Sequence, residues 1–140
     1  MSRIFWDTNL YIYLIEGRSS QTTQVEALRN KMRDRGDELL TSTLTLGEAL
    51  AKPLAQGEHR LAEAFRKGIV TSSVLITFDE EAAWMYARIR KDRSLRAPDA
   101  IQLACAATAG VDLFITNDAR LHSKQVPGIE FIVPLDRVPL

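Results

Sequence analysis

The 140-residue chain reads as an α/β protein: a mainly parallel sheet covered by helices on both faces. Short, β-rich apolar runs alternate with segments of helical periodicity, the pattern that builds a parallel sheet through crossover helices. At least one strand, Leu113–Thr116, carries an unbroken apolar run before its threonine, as a strand buried on both faces requires. Gly17, Gly36, Gly110, Pro127 and Pro134 fall between the segments, where they act as stops and starts. No internal repeat or long linker divides the chain, and its length suits one domain, residues 1–140.

Ile4–Trp6 is the first expected strand, running through Asp7 into a helix over Thr8–Ile15. Gly17 and the polar stretch Arg18–Thr23 form a loop. Gln24–Arg35 places Val25, Leu28 and Met32 on one face at helical spacing and ends at Gly36, a residue suited to a left-handed C-terminal stop. Glu38–Thr41 is the second strand and Thr43–Leu54 the next helix. Arg60–Lys67 repeats the helical pattern through Leu61, Ala64 and Phe65, with Gly68 as its expected stop. Val74–Phe78 is the third strand, followed by a helix over Asp79–Arg90. Pro98 opens the next helix, a position where a missing N–H costs nothing, and Gly110 closes it. Leu113–Thr116 and Ile129–Val133 supply the last two strands.

Composition bounds the function. The chain is 46% hydrophobic, 26% charged and formally neutral, with 18 basic and 18 acidic residues. A core large enough to fold without staples follows, and attraction for a polyanion must come from local patches. One cysteine, Cys105, allows no internal disulfide, and its apolar surroundings suit an inert buried thiol. No secretory signal and no apolar stretch long enough for a membrane span is visible, so a soluble cytoplasmic protein is expected.

Four acids stand at equivalent places, each where an apolar run meets a helix: Asp7, Glu48, Asp99 and Asp118. Each has a structural explanation. Asp7 and Asp118 can cap the turns that follow them. Glu48 can close a capping box with Thr45, or project freely from a helix that begins at Thr43. Asp99 suits the positive end of a helix dipole. As a set they mean more, because an open parallel sheet binds ligands beyond the carboxyl ends of its strands. Carboxylates gathered there repel unless a cation sits among them, and oxygen donors select Mg²⁺ or Mn²⁺. Zinc is disfavoured, since His59 and His122 lack ligand neighbours and read as exposed. Such a cation activates water for phosphodiester hydrolysis, and no Ser-His-Asp or Cys-His set competes. Arg88–Arg96 holds five basic residues; of these Arg93 and Arg96 are the expected phosphate contacts.

These motifs closely resemble the PIN-domain nucleases, in particular the VapC-like toxins of toxin–antitoxin systems. The resemblance rests on Asp7-Thr8-Asn9, Ser42–Glu48, Pro98–Ala104 and Thr116-Asn117-Asp118; each motif is weak alone, but the ordered set is specific. It implies a three-layer α/β/α sandwich with Mg²⁺- or Mn²⁺-dependent endoribonuclease activity. Asp7, Asp99 and Asp118 would be metal ligands, with Glu48 completing the acidic pocket. Thr8 and Asn9, beside Asp7, can orient its carboxylate from behind, and the resemblance implies that Thr116 and Asn117 position the last carboxylate and a water or phosphate. It further implies an RNA substrate, a cognate antitoxin whose tail enters the active-site groove, and a homodimer. Leu10, Tyr11, Tyr13 and Leu14 are dimer-face candidates and equally core candidates. Some family members carry another acid after the last Asp, where this chain has Ala119-Arg120. Competing readings are an RNA-processing PIN nuclease without an antitoxin and a noncatalytic PIN scaffold. A phosphatase using Asp7 as nucleophile fits poorly, because Asn9 stands where a second Asp is wanted.

Overall fold

The computed structural model describes all 140 residues. Its chain order is β1 (Arg3–Trp6), α1 (Thr8–Glu16), α2 (Thr22–Arg35), β2 (Glu38–Ser42), α3 (Thr43–Ala55) and α4 (His59–Ser72). It continues with β3 (Val74–Ile76), α5 (Glu80–Ile89), α6 (Ala97–Ala109), β4 (Val111–Ile115) and β5 (Ile129–Val133). Single 3-10 turns lie at Ala119–Leu121 and Leu135–Arg137. All strands pair in parallel in the order β3-β2-β1-β4-β5, as the alternating pattern predicts.

Side-chain alternation along the strands sorts the core into two layers. Ile4, Trp6, Leu39, Leu113 and Ile115 face one way, packing with α1, α2, α3 and α4. Phe5, Leu40 and Phe114 face the other, against α5 and α6. Phe5 and Phe114 are register partners on β1 and β4, and their rings stack 4.9 Å apart. Both are fully buried, each stabilising the fold by roughly 1.5–3 kcal/mol. Leu10 and Tyr11 are also fully buried and Tyr13 and Leu14 pack against the same cluster. Of the two options left open for these residues, Leu10 and Tyr11 therefore belong to the core and not to an exposed dimer face. No helix is long and apolar enough to cross a membrane.

Several boundaries differ from expectation for local reasons. Gly68 does not stop α4, which runs on to Ser72. A Cβ at Gly68 would come within 2.9 Å of Ile15 Cδ1, so this glycine lets α1 lie close against α4. β3 ends at Ile76 because its pairing with β2 ends at Ser42. Asp79 then caps α5, accepting from Ala82 N at 2.9 Å. β4 starts two residues early, at Val111, because Val111 already pairs with Ile129 of β5, and the side chain of Asp112 accepts from Arg3 N at 2.7 Å. His122 is half-buried, its Nε2 lying 2.7 Å from the Thr116 carbonyl, whereas its sequence context suggested exposure. Cys105 is buried, and burial pushes its thiol up to about 11, in keeping with an inert role.

Gly128 has φ +97°, and an added Cβ would meet the Ala107 carbonyl oxygen at 2.4 Å. Gly47 sits in open helix surface with nothing within 4 Å. Urea denaturation should therefore find Gly128→Ala destabilised by about 2 kcal/mol or more. The same measurement should find Gly47→Ala stabilised by about 0.5–1 kcal/mol through helix propensity.

Candidate active site

Because every strand runs the same way, all five carboxyl ends meet at one edge of the sheet. Helices antiparallel to the strands begin at that edge too, which is how α6 delivers Asp99 in its first turn. Asp7 follows β1 directly, Asp118 follows β4 by three residues, and Glu48 lies in the second turn of α3. β1 and β4 adjoin at the point where the strand order changes direction, the usual place for a ligand in such a sheet. All four acids line one cleft there of about 290 Å³, together with Asn9, Arg96, Gln102 and three others. A larger cleft of about 600 Å³ opens between Arg88–Leu95 and Ser123–Pro127. It gathers no acid cluster, and its Lys124 is already bound to Asp92 and Ser94.

Asp7 is the most constrained of the four. Its Oδ1 accepts from Thr8 N at 2.8 Å and its Oδ2 accepts from Thr116 Oγ1 at 2.7 Å. The same Thr116 oxygen accepts from Asp118 N at 3.1 Å, so one buried hydroxyl connects the ends of β1 and the loop after β4. Burial raises the Asp7 carboxyl above its ordinary range; the bonds from Thr116 and Thr8 oppose this, while the charges of Glu48 and Asp99 add to it.

Glu48 does not belong to a capping box. The cap of α3 is Ser42, whose Oγ accepts from Thr45 N at 3.3 Å. That leaves the Glu48 carboxylate to accept from Thr8 Oγ1 at 2.6 Å. Behind it lies a buried polar network that sequence reasoning missed. Gln102 is only 3% exposed. Its amide donates to Thr45 Oγ1 at 2.7 Å and reaches Thr8 Oγ1 and Glu48 Oε1 at 3.3 and 3.4 Å. Its carbonyl accepts from Ser42 Oγ. Thr45 and Thr41 hydroxyls are 2.8 Å apart, and Thr41 donates onward to the Trp6 carbonyl at 2.9 Å. One signal was available: Gln102 interrupts an otherwise apolar helix, three residues after Asp99 and so on the same face.

Asp99 and Asp118 are held differently, by guanidinium groups. Arg120 Nε donates to Asp118 Oδ1 at 2.9 Å while its Nη2 binds Oδ2. That Nη2 also lies 3.6 Å from Asp99 Oδ2, as does Arg96 Nε. The Arg120 side-chain hydrogen bond lowers the Asp118 carboxyl below its ordinary range, and Asp118 raises the Arg120 guanidinium in return. Arg96 thus lies at the cleft, whereas Arg93 is exposed on its loop and does not line it. Asn9 is exposed at the rim. Asn117 turns its carbonyl oxygen to Leu135 N at 3.1 Å, tying the loop to the segment after β5.

The donor set suits a hard divalent cation. All four donors are carboxylates, and the pair on the Asp7 side is held only by neutral groups. A desolvated carboxylate pressed by two acidic neighbours gains most from a cation. No three acids converge as a ready-made cage, and Asp99 and Asp118 are turned toward guanidinium partners. In residue type and in sharing one cleft, the four acids fit the group.

The sequence profile of the PIN domain matches residues 4–126, and the chain belongs to this family. Solved structures share the fold. A chain of the DNA-bound VapBC complex from Salmonella typhimurium superposes with TM-score 0.73 at 21% identity, covering 96% of this chain and 99% of that one. VapBC2 from Rickettsia felis, bound to a fragment of its promoter, gives 0.71 at 14% identity over 94% and 98%. VapBC-5 from Mycobacterium tuberculosis gives 0.63 at 21% over 94% and 98%. No curated protein matches the sequence significantly.

A carboxyl raised in the fold contributes stability that is fully present below the unfolded carboxyl range, near 3.8, and is lost as pH rises through the folded value. Asp7→Asn should therefore melt at a higher temperature than the wild type at pH 7 in metal-free buffer. The gap should close as the pH is lowered toward 3.8. A gap that does not change with pH would show that Asp7 carries no such penalty.

Proposed function

We propose that residues 1–140 act as a single PIN-like domain that is a metal-dependent endoribonuclease, the toxin of a toxin–antitoxin pair. The observation that carries this reading is the convergence of Asp7, Glu48, Asp99 and Asp118, drawn from four separate segments, on one cleft at the strand ends. Membership of the PIN family and the shared fold with VapBC chains support it.

In this reading the four carboxylates hold Mg²⁺ or Mn²⁺. When bound, the ion supplies a water acidified for attack on the phosphodiester and neutralises charge on the departing oxygen. Thr8 and Thr116 keep the Asp7 carboxylate in place through hydrogen bonds to each of its oxygens. Gln102 and Thr8 fix the direction of Glu48, and the buried network behind them makes that direction rigid. Arg96 at the cleft, with Arg93 on the adjoining exposed loop, contacts RNA phosphates, for which a planar guanidinium is well matched. Asn9 lies at the rim where the substrate enters, and Asn117 holds the loop that carries Asp118. A cognate antitoxin blocks the cleft, and the toxin works as a cytoplasmic homodimer. The VapBC neighbours favour a toxin over an RNA-processing nuclease without an antitoxin.

Incubation of a mixed RNA pool with the purified protein should give products with Mn²⁺ or Mg²⁺ and none with EDTA. Asp99→Asn and Asp7→Asn should abolish cleavage while leaving circular dichroism unchanged. Full activity in either variant would remove that residue from the site. Arg96→Ala should weaken binding of every RNA to a similar degree and reduce its salt dependence, as loss of one phosphate contact predicts.

A further inference from the structure

The acids divide by what holds them. Asp7 and Glu48 accept only from neutral groups: a backbone amide, two threonine hydroxyls and the Gln102 amide. Asp118 is held by three donors of one residue, the backbone N–H of Arg120 at 3.1 Å, its Nε at 2.9 Å and its Nη2. The same guanidinium reaches Asp99. Arg120 is itself half-exposed at the mouth of the cleft, so its side chain can leave without disturbing the core. Its backbone N–H belongs to the turn that Asp118 caps, so the chain holds the cation close by even when the fork is open.

From this geometry we propose that Arg120 is a tethered competitor of the divalent ion, holding Asp118 and Asp99 in ion pairs that must open before either can bind metal. The inference rests on the metal-site reading above. A forked guanidinium–carboxylate pair is among the stronger polar contacts, and an ion that takes Asp118 must first replace it. Arg120 therefore sets how much free metal the protein needs to load, and together with Arg96 it keeps the outer half of the site neutral in the unloaded protein. It is a positioning residue, acting on the carboxylates and not on the reacting phosphate.

The test is titration of the full-length protein with Mn²⁺ alone, without RNA, by calorimetry and by the paramagnetic resonance signal of free Mn²⁺. Arg120→Gln should bind Mn²⁺ about tenfold more tightly than the wild type, the change expected from releasing one charge-assisted pair. Arg33→Gln removes the same charge from the exposed last turn of α2, at the amino-terminal edge of the sheet, and its affinity should stay within about twofold of wild type, as screening of a distant charge predicts. Should the glutamine disturb folding by circular dichroism, Arg120→Met gives the same comparison.

Wild-type binding that Arg120→Gln leaves unchanged would overturn the role of Arg120 and leave the metal site standing. An equal gain from Arg33→Gln would overturn it as well, since the effect would then be one of overall charge. No Mn²⁺ binding by wild type or by Arg120→Gln would overturn the metal reading itself, and this inference with it.

Discussion

The hydrogen bond from Thr116 Oγ1 to Asp7 Oδ2 joins residues 109 positions apart, and the arrangement of the site depends on it. β1 is the central strand, paired in parallel on both sides, and its last residue, Trp6, pairs with Ile115 of β4. The chain leaves both strands at the same level, so Asp7 and Thr116 meet. Thr116 is fully buried and must find polar partners; Asp7 and the Asp118 amide provide them. A single hydroxyl thereby sets the spacing between two acids that the chain order keeps far apart.

That placement costs stability. Burial and two acidic neighbours disfavour the Asp7 carboxylate, while its cap bond to Thr8 N at the start of α1 offsets part of that cost. Acids at the opposite edge are treated otherwise. Asp37 accepts from Ser2 N and pairs with Arg35, and Glu38 pairs with Arg3. Those groups close the amino-terminal edge of the sheet, where each carboxylate has a donor that explains it. At the carboxyl edge, Asp7 and Glu48 have only neutral donors and keep their charge, which is the pattern expected when a site is held ready for a cation.

Two physical strategies hold these acids. On the inner side, neutral donors from Thr8, Thr116 and Gln102 orient carboxylates without neutralising them. The Gln102 amide is suited to this, with two N–H groups for Thr45, Thr8 and Glu48 and a carbonyl for Ser42. On the outer side, Arg96 and Arg120 neutralise as well as orient. Neutral donors leave the negative charge available to a ligand, whereas guanidinium groups consume it. The cleft therefore has a charged interior held by neutral donors and a mouth whose charge is balanced by exposed side chains.

The sequence by itself determined the α/β class, the strand and helix order, and four acids at equivalent junctions, because these follow from local periodicity and residue type. Motif order along the chain also sufficed to identify the PIN resemblance. Tertiary structure decided what periodicity does not encode. Gly68 looked like a helix stop because its reason for being small, the approach of Ile15, comes from another helix. The role of Glu48 stayed ambiguous until the cap was seen to be Ser42, since capping boxes and free carboxylates share the same spacing. Gln102 and Arg120 gain their meaning only from partners on other segments: the hydroxyls of α1, β2 and α3 for one, Asp99 for the other. Side-chain networks join residues distant in sequence, and no local pattern records which of them will meet.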